Sequence, residues 1–92
     1  RGMRIIGDTI FFHSAEPYYT KEETGIKPNT IRSLPNMEML DFLQEKERLK
    51  KINIALKHDP RNSFERVLTD ITEWEGLIIF SWRHENEQRP SE

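Results

Sequence analysis

Ninety-two residues, 35% of them hydrophobic and 33% charged, suffice for one domain with one modest core, and a net charge of −2 excludes a grip on nucleic acid by bulk electrostatics. The absence of cysteine excludes a disulfide framework and any thiolate metal site. The longest apolar run falls far short of the roughly twenty residues of a membrane span, and no signal-peptide pattern opens the chain, so a cytoplasmic protein with no membrane partner is expected.

Arg1-Gly2 ahead of Met3 has the look of a cloning remnant, and the domain is expected over residues 3–83. Met3 to Phe12 is rich in β-branched and aromatic side chains and predicts a strand or hairpin turning at Gly7-Asp8. Ser14 is positioned to cap a short helix over 15–23, with Glu16 at its positive end and Pro17 in its first turn, and Gly25 is expected to end it in the left-handed conformation. Lys27 to Arg32 then reads as a strand.

Pro35-Asn36 breaks the chain, and Met39, Leu40, Phe42, Leu43 and Leu49 fall mostly on one face of an amphipathic helix over 37–50. Ile52 to Leu56 is expected as a strand, His58 to Asn62 as a turn, and Phe64 to Ile71 as a second strand whose two faces both mix polar and apolar residues. A turn at 73–76 leads to the clearest strand, Leu77 to Trp82, with Phe80 and Trp82 in the core. The polar stretch 84–92 is expected to be a disordered tail.

Chemistry concentrates in Lys27-Pro28-Asn29-Thr30-Ile31-Arg32, where an amine, an amide, a hydroxyl and a guanidinium lie within six residues. Strand alternation sends Thr30 and Arg32 to one face and Ile31 to the core, so two polar groups share a surface with Lys27 nearby. The plainer alternative is a solvated loop with Arg32 in a surface ion pair. Tyr18 and Tyr19 could stack on a base, although one covering the core and the other half-exposed is the simpler arrangement. His13, His58 and His84 show no i, i+4 pairing, so no metal is expected, and no motif calls for a cofactor. Asp70 is placed to cap the following turn or to pair with Arg66.

Strand, short helix, Gly25, then Lys27-x-x-Thr30-Ile31-Arg32 and a final Gly76-aliphatic-aromatic strand together resemble the ASCH domain of the PUA-like superfamily. Small proteins of Gram-positive bacteria and their phages also look similar, with related Lys-Pro-Asn-Thr-Ile/Val-Arg and Phe-Glu-Arg-x-Leu-Thr-Asp-Ile segments. The resemblance covers roughly residues 5–82 and implies an α+β fold, a small β-barrel with two flanking helices, and a cleft that recognises RNA or a nucleotide. In one enzymatic branch the Lys, the Thr three residues later and a Glu of a later strand hydrolyse acylated cytidine, which by matching positions implies Lys27 and Thr30; no motif fixes the third partner, and Glu65 is taken for it only from its place in a later strand. The usual Gly-Asp after the Arg is missing, and the 37–50 helix stands in its place.

As a binding site, Lys27 and Arg32 would meet phosphate, Asn29 or Thr30 a base edge, and Tyr18 or Tyr19 its face. The competing expectation is a phage-type protein that binds or inhibits a host protein. Residues 63–92 hold three basic and seven acidic side chains, a balance suited to a basic protein partner, whereas residues 1–35 and 36–62 each carry one net positive charge. Trp74, flanked by Glu73 and Glu75, fits that partner better than a polyanion.

Overall fold

The computed structural model describes residues 3–84, so the expected remnant at 1–2 and all of the tail beyond His84 lie outside the described residues. The apolar pairs Ile5-Ile6 and Ile10-Phe11, with Gly7-Asp8 between them, form a tight hairpin, β1 (Arg4–Ile6) and β2 (Thr9–Ser14), which turns at Gly7-Asp8 with Gly7 at φ +62°. Helix α1 (Tyr18–Thr24), strand β3 (Asn29–Arg32) and helix α2 (Asn36–Glu45) follow, then a 3-10 turn at Lys46–Arg48 and strands β4 (Lys51–Leu56), β5 (Asp59–Trp74) and β6 (Leu77–Trp82). Among the described residues no helix is long and apolar enough to cross a membrane.

The result is an α+β fold: one mixed six-stranded sheet in the order β1-β2-β4-β5-β6-β3, with two helices. Only β2 and β4 run parallel, joined through α1, β3 and α2. The hydrogen-bonded ladder is open, with β1 and β3 at its two ends. It nevertheless curls strongly, since Phe12 of β2 meets Phe80 of β6 edge-on at 5.2 Å although two strands separate them in the ladder. The curl encloses Ile10, Ile52, Ile54, Ile78 and Phe80, all essentially inaccessible. Phe80 and Trp82 are core residues as the sequence implies.

Sequence periodicity misplaces several boundaries, each for a local reason. Ser14 does not cap α1: it is the buried last residue of β2, the helix begins at Tyr18, and the Glu16 carboxylate accepts from the Thr20 N–H (3.1 Å) and hydroxyl (2.7 Å) instead. The 37–50 helix stops at Glu45 and tightens into the 3-10 turn, which lets Leu49 fold inward. Residues 59–62 belong to β5, as a bulge in which Asp59 accepts from Arg61 and Asn62. A second bulge between Leu68 and Asp70 switches strand parity, so Phe64, Arg66, Leu68 and then Ile71 face inward. That switch is why neither face of the segment looked apolar. The final hairpin turns at Glu75-Gly76, both with positive φ, and Asp70 accepts from the Thr72 hydroxyl.

α2 is held by one fully buried side chain, Phe42, whose ring lies edge-on to Phe80 at 5.7 Å, while Met37, Leu40 and Leu43 remain exposed. α1 is tied down at its end by Arg66, buried over the Phe64 ring, whose guanidinium donates to the Glu23 carbonyl at 2.9 Å. Gly25 ends α1 at φ +88°, with Lys27 N–H closing back on the Lys21 carbonyl at 2.9 Å. A Cβ at Gly25 would stand 2.6 Å from the His84 ring. Gly25→Ala is therefore expected to cost more than about 1 kcal/mol in chemical denaturation, because strain and clash add to the ordinary glycine effect. A loss within a few tenths of that of an exposed α1 substitution would show that neither matters.

Candidate functional site

β3 pairs with β6 in the register Thr30 with Phe80 and Arg32 with Ile78, both buried partners. Cross-strand partners share a face, so Thr30 and Arg32 point inward together, as strand alternation implies. The expected burial of Ile31 is reversed: it pairs with Ile79 on the outer face and is 51% exposed, while Thr30 is only 3% exposed. The reason is that the sheet curls around its polar edge here, so the interior at this end is a lined cleft rather than apolar core.

That cleft has a volume of about 850 Å³. β3 contributes Thr30 and Arg32, the end of β2 contributes His13 and Ser14, α1 contributes Tyr18 and Glu22, and Lys27 and Lys57 come from the adjoining loops. Lys57 is brought there by its N–H, which donates to the Ser14 carbonyl at 2.9 Å. Among the described residues no lining side chain comes from α2, so that helix leaves this cleft open.

Glu22 organises the floor. Its carboxylate is buried, accepts from the Ser14 hydroxyl at 2.7 Å and meets the Lys27 ammonium at 3.3 Å. Lys27 also donates to the Asn29 carbonyl at 2.8 Å. Arg32 lies over the Phe12 ring, its guanidinium carbon 4.5 Å from the centroid, and spends three donors on the scaffold: Nε to the Thr30 hydroxyl (3.0 Å), and the terminal nitrogens to the His13 carbonyl (2.9 Å) and Ser14 hydroxyl (2.8 Å). These bonds tie the end strand β3 to β2 through a side chain, where no ladder does. Burial pulls the Arg32 guanidinium below its ordinary value, and the Glu22 carboxylate acts in the opposite sense.

The structure thus brings Lys27, Thr30, Arg32 and Tyr18 together and separates the other expected residues. Asn29 contributes its main-chain carbonyl to Lys27, and its side chain belongs to the outer face opposite Ser81. Tyr19 packs on Phe64, ring centroids 5.5 Å apart, and borders a different groove beyond α1 with Glu16 and Glu23. Burial, then Glu23 and Glu16, push the Tyr19 hydroxyl upward. The pairing of one core tyrosine with one exposed tyrosine holds, Tyr18 being 55% exposed. Glu65 stands on β5 opposite Asn53, half-exposed and 3.9 Å from Lys51, away from the cleft lining. The carboxylate in the cleft is Glu22, which sequence reasoning missed. Its signal was the helical spacing from Tyr18 to Glu22, one turn apart on one face.

No protein-family model, curated protein or solved structure matches the chain.

Proposed function

We propose that the chain is a PUA/ASCH-like domain, its curled sheet standing for the small barrel of that superfamily, and that it binds RNA or a nucleotide in the cleft of Lys27, Thr30 and Arg32. The observation that carries this reading is that these three side chains, separated by residues facing other ways, line one open cleft together with an exposed tyrosine. Lysine and arginine supply charge for phosphate, the Thr30 hydroxyl a hydrogen bond, and Tyr18 a flat apolar surface for a base. The geometry favours holding a ligand over cleaving one. Lys27 is engaged with Glu22 and the Asn29 carbonyl, and Thr30 accepts from Arg32 rather than donating to a base.

Binding of fluorescent single-stranded RNA and of nucleotides, followed by anisotropy at low and moderate salt, tests the reading. Lys27→Ala and Tyr18→Ala are each expected to weaken binding about tenfold, the worth of one charge-assisted hydrogen bond or one stacked base. Circular dichroism checks that the variants remain folded. Wild-type protein that binds neither ligand, yet retains a lysate protein after nuclease treatment, would replace this reading with the host-protein partner.

A further inference from the structure

We infer that the cleft seats a single terminal phosphate, so that its ligand is a nucleoside monophosphate rather than a continuous strand. The inference rests on the nucleotide-binding reading above and narrows it.

Hydrogen-bonding capacity comes first. Both Glu22 oxygens are engaged, one by Ser14 and one by Lys27, and the His13 carbonyl is engaged by Arg32. Donors remain in excess. Lys27 uses two of its three N–H bonds on the scaffold, Arg32 uses three of its five, and the Thr30 oxygen accepts from Arg32 and so keeps its own proton to give. A ligand in this cleft must therefore bring acceptors.

Charge gives the same direction. Among the described lining residues Lys27, Arg32 and the exposed Lys57 face one carboxylate, that of Glu22, so lysine and arginine exceed it by two charges. A phosphomonoester carries about −1.5 to −2 at neutral pH, whereas an internal phosphodiester carries one charge and fewer free oxygens. The cleft volume lies in the range of small-molecule sites. Tyr18, more than half exposed at its rim, offers a flat apolar surface to the base.

Beyond α1 the positive surface of the cleft gives way to acidic side chains. On the far side of α1 the neighbouring groove carries Glu16 and Glu23. Lys46, Arg48, Lys51 and Arg61 are each paired with a carboxylate. A second phosphate reaching across α1 would meet that acidic groove, so lengthening the ligand in this direction adds no favourable contact.

The test is a calorimetric series on the full chain: a ribonucleoside, its 5′-monophosphate, and oligoribonucleotides of increasing length without terminal phosphate. The monophosphate is expected to bind at least about tenfold more tightly than the nucleoside, with no gain from length, and Lys57→Ala is expected to lower its affinity several-fold while leaving nucleoside binding unchanged. Lys57 is exposed at the rim, so its removal spares the folded scaffold. Affinity that climbs with oligonucleotide length would overturn the single-phosphate inference and leave the RNA reading standing. Equal binding of nucleoside and monophosphate, indifferent to Lys57→Ala, would overturn it and leave a base-recognition site. Absence of binding across the series would remove both.

Discussion

Phe42→Ala is expected to destabilise the protein by about 3–5 kcal/mol. Phe42 is the fully buried anchor of α2, its ring set edge-on against Phe80 at the centre of the curled sheet. Truncation removes that aromatic contact and leaves a void in the core against which Met39 of α2 is only partly buried. In a domain of this size, with a total stability on the order of 5–10 kcal/mol, such a change approaches global unfolding. Urea denaturation followed by the fluorescence of buried Trp82 measures it, and Phe42→Leu, which retains most of the volume, provides a folded intermediate case with a smaller loss. Because α2 contributes no side chain to the cleft lining, ligand affinity in Phe42→Leu should match that of the parent. A loss below about 1 kcal/mol for Phe42→Ala would mean that α2 is not held through this ring.

What the sequence made legible was whatever depends on neighbours in the chain. The Gly7-Asp8 hairpin, the left-handed Gly25 and the strand ending at Trp82 follow from turn chemistry and period-two patterning, and the structure has them. So does the inward pairing of Thr30 with Arg32, which needs only the strand period. Features that depend on distant parts of the chain were lost. Which face of β3 is interior was settled by the curl that brings β3 back toward β2, and local alternation carries no information about that curl. The bulge at Leu68 to Asp70 inserts one residue and reverses parity, so a strand with a clean inward face looked mixed. Ser14 looked like a helix cap because serine before a helical stretch usually is one, but its hydroxyl has a stronger partner in a buried carboxylate eight residues on.

That carboxylate, Glu22, carries the second large effect. Glu22→Gln is expected to lower stability by about 1–3 kcal/mol, and Glu22→Leu by more, because the leucine leaves both the Ser14 hydroxyl and the Lys27 ammonium without their acceptor. Glutamine keeps the size and one carbonyl oxygen, so the difference between the two variants separates lost hydrogen bonding from lost charge. Lys27 is 27% exposed and can turn to water, which places the Gln variant at the lower end of the range. A double-mutant cycle with Lys27→Met isolates the pair. If Glu22 stabilises the fold by holding Lys27, the double variant should lose less than the sum of the singles, with a coupling of about 0.5–3 kcal/mol that survives added salt because the carboxylate is buried. Strict additivity would show that Glu22 is retained for Ser14 alone. In that event Lys27 would be an independent cation at the cleft wall, and the charge available to a bound phosphate would not depend on Glu22 at all.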